Sequence, residues 1–378
     1  MRELMDFCAG ELPALRRDIE TLVRLESPST SKSAVDRCGA AIVEMLKQAG
    51  ASVKTLPQTQ RGDHIRAEVS GGPRTVMLLG HFDTVWDVGQ IDRMPFREED
   101  GRLYGPGVFD MKASIAVAVR AVRALLATTA PPPRVVMLWT TDEEIGSETS
   151  RDVIEAEARA ADAVLVLEPS LPGGAVKTRR KGCGEFHLSV RGVSAHAGID
   201  PGKGASAIHE LAHQIVALER FRDLNHGISV NVGVVSGGSR GNVVAESAQA
   251  VVDLRVPTLD DAARLEERIR TLQPLNPQVT IEVSGSVGRP PFERSDGVAR
   301  LYVQAKAVAA ELDVTLEEGS TGGGSDGNFT AAIGVPTLDG LGPQGDGAHA
   351  LHEHVVVADL PWRAAFLAAL MLRINRVE

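Results

Sequence analysis

Apolar positions recur at helical spacing over residues 12–25, where Leu15, Ile19, Leu22 and Val23 share one face, and the pattern stops at Glu26-Ser27-Pro28-Ser29. Residues 35–49 repeat it and end at Gly50, a C-cap residue type, before a strand-like stretch at 52–56. From residue 76 the pattern changes. Short apolar runs at 76–79, 135–140 and 163–167 alternate with a helical stretch at 114–126, which predicts an α/β sheet covered on both faces. Ligands of such sheets gather beyond the carboxyl ends of the strands, and His81, Glu143, Glu144 and Glu168 fall there.

A loop-like, basic stretch at 171–184 then introduces a different pattern: an alternating run at 185–190, a helix at 205–218, strands at 228–235 and 248–254, and a charged helix at 259–272. These predict a small α+β unit ending near Ser284-Gly285-Ser286, with a domain boundary near Lys177. A helix at 298–312, a Gly-rich turn at Thr321-Gly322-Gly323-Gly324-Ser325-Asp326 and a helix at 359–374 follow. If His349 shares a site with His81, the small unit is an insertion in a discontinuous domain.

The chain of 378 residues is long enough for a large core and two domains. Its formal net charge is −10, with basic and acidic residues interspersed, so it carries no footprint for nucleic acid or an anionic membrane. Cys8, Cys38 and Cys183 are far apart and odd in number, which points away from a disulfide framework and from a zinc-thiolate knuckle. Acids stand near the N-terminus where a signal peptide would be apolar, and no run approaches the ~20 apolar residues of a membrane span. The expected location is cytoplasmic.

Candidate chemistry begins at Gly80-His81-Phe82-Asp83, where a His-x-Asp leaves the end of an apolar run: one imidazole nitrogen can bind a metal while the carboxylate steers the other. Its partners lie in Gly107-Val108-Phe109-Asp110, Asp142-Glu143-Glu144, Leu167-Glu168-Pro169 and Gly347-Ala348-His349, with Glu353 following. Two divalent ions sharing a carboxylate need about three protein ligands each, and His81, Asp110, Glu144, Glu168 and His349 supply that set if Asp110 bridges. Oxygen and imidazole donors suit zinc, manganese or cobalt. Adjacent Glu143 and Glu144 diverge in extended backbone, so one ligates and the other acts as a base.

These motifs together resemble the M20 metallopeptidases, and within them the glutamate carboxypeptidases, over a span from about the first helix to the last. The resemblance implies a mixed-sheet zinc-peptidase catalytic domain at 1–177 and 289–378, with a smaller α+β lid or dimerisation domain inserted at 178–288. It implies two zinc ions, one held by His81 and Glu168, the other by Glu144 and His349, with Asp110 bridging. Glu143 then matches the general base and Asp83 the supporting carboxylate, while His196 in Ser194-Ala195-His196-Ala197-Gly198 matches a histidine that stabilises the oxyanion, reaching the partner subunit's site. Arg289, Asn242, Gly323 and Gly324, and less closely Lys177 and Arg255, match positions that bind the substrate's terminal amino acid; a guanidinium can grip a carboxylate bidentately. A cis peptide after Asp110 and a homodimer through the insertion are implied as well.

The expected function is hydrolysis of the amide bond to a C-terminal amino acid, glutamate, in a small N-acyl or peptidyl substrate. An aminoacylase or dipeptidase of other side-chain preference is the alternative within the enzyme class. A metal-binding paralogue without turnover is the alternative outside it.

Overall fold

A computed structural model describes residues 1–376; Val377 and Glu378, the end of the expected catalytic segment, lie outside the described residues. The chain divides into two compact units: Met1–Arg179 with Arg294–Ser320 and the chain from Ser325 onward, and Arg180–Glu293 with Thr321–Gly324. The division thus falls beyond the expected limits at 177/178 and 288/289, and it places Arg289, Gly323 and Gly324 in the inserted unit.

The first unit is built on a six-stranded sheet ordered Ser52–Leu56, His64–Val69, Arg134–Thr140, Thr75–His81, Ala163–Val166, Thr337–Leu338. It is mixed: the first two strands run antiparallel to their neighbours and the last four are mutually parallel. Every residue of Thr75–His81 is buried. Val76 and Leu78 face a large core that includes the helices Leu12–Arg24, Lys32–Gln48, Ala113–Ala127 and Leu360–Arg376, whereas Met77 and Leu79 pack with Ile154, Ala158 and Phe329 on the other face. Burial on both sides is why these strands read as unbroken apolar runs instead of alternating ones.

Three of the parallel strands carry site residues at one end. The pairings His81 with Thr140 and Leu79 with Val166 align the carboxyl ends of Thr75–His81, Arg134–Thr140 and Ala163–Val166, so the chain leaves all three on one side of the sheet. A second, small sheet ordered Gly345–Asp346, His354–Val356, Arg102–Tyr104, Arg97–Glu99 sets the hairpin loop that contains His349 against the segment leading into Asp110.

The inserted unit has a four-stranded antiparallel sheet ordered Ser229–Gly237, Ser247–Val256, Gly182–Arg191, Thr280–Arg289, with helices Ala207–Glu219 and Leu259–Arg270 contributing to its core. Buried and more exposed residues alternate along Gly182–Arg191, as expected for strands with one covered face. Both helices start at side-chain caps, Ser206 accepting from His209 N and Thr258 from Asp261 N. The expected end near Ser284-Gly285-Ser286 is corrected here: those residues lie inside the strand Thr280–Arg289. Gly285 resembles a terminator in sequence, yet the ladder with Gly182–Arg191 carries the chain past it. Among the described residues, no helix is long and apolar enough to cross a membrane.

Candidate metal centre

His81 is the last residue of the central strand, and its ring is fully buried. Its Nδ1 lies 3.1 Å from the Asp83 carbonyl oxygen and 3.4 Å from Asp83 Oδ1, which leaves Nε2 to face the site. Asp83 is itself buried and accepts from Ser29 Oγ at 2.7 Å, Glu143 N at 3.3 Å and Glu144 N at 3.3 Å. One carboxylate therefore sets the imidazole and the backbone of both glutamates.

His81 Nε2 stands 3.3 Å from Asp110 Oδ1 and 3.5 Å from Glu168 Oε1. On the opposite side His349 Nε2 stands 3.5 Å from Asp110 Oδ2 and 3.2 Å from Glu144 Oε2. Asp110 thus offers a different oxygen to each histidine, and the structure brings His81, Asp110, Glu144, Glu168 and His349 into one cluster. Single ligand atoms of His81, Asp110 and Glu144 lie within 4.8 Å of one another, as do those of His81, Glu143 and Glu168. The peptide bond between Asp110 and Met111 is cis.

Glu143 and Glu144 occupy a turn of 3-10 helix, Glu143–Ile145, and not the extended backbone from which their divergence was expected. Their surroundings differ nonetheless: Glu143 groups with His81 and Glu168, while Glu144 groups with His81 and Asp110 and contacts His349.

The donor set fits a pair of divalent cations. Five carboxylates, Asp83, Asp110, Glu143, Glu144 and Glu168, surround two imidazoles, and the electrostatics reflect the excess of negative charge. Burial opposes charge on His81, but Asp110, Asp83 and Glu168 outweigh it and hold its pKa well above the usual imidazole value. Asp110 and Glu144 raise His349 to about 10. Asp110 is buried, which would raise its pKa, yet hydrogen bonding to His349 and His81 keeps it below the usual carboxylate range. Burial raises Glu144, whose Oε1 is a buried oxygen without a hydrogen-bond partner among the described residues. Divalent ions would balance this charge with the imidazoles deprotonated, the state in which histidine ligates.

The two histidines that flank Glu353 in sequence are engaged elsewhere. His354 has Nδ1 2.9 Å from the His352 carbonyl oxygen and its ring beside Tyr104, while His352 is exposed near Asp346. Glu353 is the residue whose role the sequence left unread. Its buried carboxylate accepts from Gly107 N, Phe109 N and Trp86 Nε1, each at 2.9 Å, and from Asp110 N at 3.1 Å. Burial raises its pKa to about 7 against the pull of these four donors. The available signal was its place four residues after His349, next to a strand.

Within the inserted unit, His196 Nδ1 accepts from Gly198 N and Ile199 N at 3.1 Å each. A neutral ring so held carries its proton on Nε2, so His196 presents a donor. Asn242 lies beside it, its carbonyl oxygen accepting from Ala197 N at 3.0 Å. Arg289 forms a second group, opposite Cys183 in the strand ladder and buried. A Cβ at Gly324 would meet Arg289 Cδ at 2.9 Å and Cys183 Sγ at 3.2 Å, so this close approach requires a glycine. Arg255 donates to Cys183 Sγ at 2.6 Å and pairs with Asp253, and Arg180 Nη1 holds the carbonyl oxygens of Gly323 and Gly324 at 3.3 and 2.8 Å. Lys177 belongs to the first unit, buried and bonded through its backbone to Asp339.

The helix Ala207–Glu219 also spells His209-Glu210-Leu211-Ala212-His213, the spacing of a zinc-protease helix. Glu210 is buried there, its carboxylate accepting from Leu275 N, Asn276 N and the Gln214 side chain, so it serves structure and not proton transfer.

Residues 77–373 match the model of peptidase family M20/M25/M40. Carboxypeptidase G2 from Pseudomonas sp. (strain RS-16) is 30% identical over 380 residues, covering 98% of this chain and 91% of the relative. A succinyl-diaminopimelate desuccinylase from Paracidovorax citrulli (strain AAC00-1) is 32% identical over 316 residues, covering 78% of this chain and 80% of the relative. Among solved structures, aminopeptidase PepT from Bacillus cereus ATCC 10987 matches with a TM-score of 0.81 at 23% identity, covering 97% of this chain and 99% of that one, a likeness of fold. With a family match spanning most of its length and relatives aligned through both units, this chain belongs to peptidase family M20/M25/M40.

Proposed function

We propose that the protein is a two-zinc carboxypeptidase that hydrolyses the amide bond to a C-terminal amino acid, glutamate, in N-acyl or peptidyl substrates. The observation that carries the reading is Asp110 offering Oδ1 to His81 and Oδ2 to His349, an arrangement suited to a bridging carboxylate. In it His81 and Glu168 would hold one ion, and Glu144 and His349 the other. Two divalent ions so bound would polarise a carbonyl and lower the pKa of a water toward ~7.

Glu143 takes the proton of the attacking water and delivers it to the leaving amine nitrogen. Asp83 keeps His81 in the required orientation through Nδ1. From the inserted unit, His196 donates through Nε2 to the oxyanion, and Arg289 grips the terminal carboxylate, with Asn242, Gly323, Gly324, Lys177 and Arg255 as further polar contacts for the released amino acid. Carboxypeptidase G2 supports the carboxypeptidase reading by name and by coverage.

The inserted unit also supports a homodimer. Its outer strand Ser229–Gly237 has a free edge among the described residues and exposes Val234 at 59% and Val235 at 56%, beside Ile208 and Val216 exposed on the helix Ala207–Glu219. A long apolar edge of this kind is a pairing surface.

Release of amino acid from a panel of N-acyl-glutamate, N-acyl-alanine and N-succinyl-amino acids, with metal content measured alongside, tests the function. Preferred turnover of N-acyl-glutamate by protein holding two ions is expected. Equal turnover of the alanine compound overturns glutamate selectivity, and preference for N-succinyl substrates would align the protein with the desuccinylase relatives instead.

A further inference from the structure

We propose that Glu353 is the positioning residue that registers the bridging carboxylate Asp110 against His349, a role that rests on the two-metal reading above. The two segments it joins are remote in sequence, with Gly107 and Glu353 separated by 246 positions.

On one side Glu353 Oε1 accepts from Phe109 N and Asp110 N, and Oε2 accepts from Gly107 N and Trp86 Nε1. Three backbone N–H groups within four residues thus converge on one carboxyl group, and the last belongs to Asp110 itself. Each oxygen accepts two of these bonds, so the carboxyl group fixes the backbone direction from which the Asp110 side chain departs. That direction decides whether Asp110 can face His81 with one oxygen and His349 with the other.

On the other side Glu353 closes the turn in which His349 sits. Glu353 N donates to Ala350 O at 3.0 Å, and Ala350 N donates to Gly347 O at 2.8 Å. Gly347 has φ +82, and a Cβ there would lie 2.9 Å from Glu353 N and Cα, so the turn folds directly onto Glu353. His349, at φ 61, is held in a left-handed conformation that a non-glycine residue seldom adopts alone. It is also the half-exposed member of the ligand set, with little packing of its own. Glu353 touches neither substrate nor ion in this scheme. It acts through the residues it holds.

Glu353→Gln preserves shape but replaces one acceptor oxygen with an amide that cannot receive two of the four N–H groups. Metal-free parent and variant, each checked for folding by circular dichroism, are titrated with zinc in competition with a chromophoric chelator and then loaded with cobalt for visible absorption. A fall of ~10- to 100-fold in metal affinity together with an altered cobalt spectrum is expected. Trp86→Phe, which removes one donor and leaves the carboxylate, should weaken binding less and in the same direction; it carries the test if the glutamine variant does not fold. A parent that binds two ions, with folded variants matching it in affinity and spectrum, overturns the proposal alone. A parent that binds no divalent ion overturns both the proposal and the function on which it rests.

Discussion

Asp83 stands behind His81, its Oδ1 3.4 Å from Nδ1, and the same carboxylate receives the backbone N–H groups of Glu143 and Glu144. An amide at this position can accept through one oxygen only, so Asp83→Asn should loosen the imidazole and the glutamate turn together. Metal affinity or activity is expected to fall ~10- to 100-fold. A chelator competition titration checks it, and an affinity and activity equal to the parent's would remove Asp83 from the machinery.

Glu143 and Glu144 should separate in their consequences. Glu143→Gln is expected to retain two ions per chain while kcat falls by ~100- to 10,000-fold, the loss of a proton acceptor. Glu144→Ala should lose metal, since its carboxylate contacts His349 Nε2 at 3.2 Å. Elemental analysis beside steady-state kinetics distinguishes the two, and the opposite pattern would exchange the roles.

His64 makes stability depend on pH beneath the site. Its ring is buried between Thr149 Oγ1, 3.1 Å from Nε2, and Thr141 Oγ1, 2.9 Å from Nδ1. Burial lowers its pKa below 6.5, although Asp142, Asp326 and Asp83 pull upward. The unfolded chain therefore takes up this proton first on acidification, so the contribution of His64 is present above 6.5 and is lost as pH falls through the lower folded value. Urea unfolding of metal-free protein at about pH 7 and about pH 5 should show a smaller loss of stability for His64→Gln than for the parent, because glutamine has no proton to take up in this range. Equal losses would count against a neutral buried His64.

The edge of Ser229–Gly237, unpaired among the described residues, predicts association. Light scattering at micromolar concentration should give the parent the mass of a dimer, and Val235→Asp, which puts charge on an edge residue that is 56% exposed, the mass of a monomer. A monomeric parent would remove the homodimer.

The α/β alternation around the central strand was legible because its signals are local. Residues 76–79 are apolar without a break since both faces are covered, and His81 follows at the strand's end. The strand His64–Val69 and the helix Arg151–Arg159 were missed: Arg66, Glu68, Asp152, Glu155 and Glu157 interrupt their apolar patterns, and Arg66 pairs with both Glu157 and Glu68. Only the packed structure shows that these charges satisfy one another across elements.

The sequence alone determined the strand runs and the identities of the clustered donors, since periodicity and residue type are written along the chain. Tertiary structure decided how those donors meet: pairing of His354–Val356 with Arg102–Tyr104 brings His349 to Asp110, and the carboxylate of Glu353 links the same two segments. Pairing between distant segments is a property of the folded ladder, and hydrogen bonds to backbone N–H groups constrain position with no side-chain pattern to announce them.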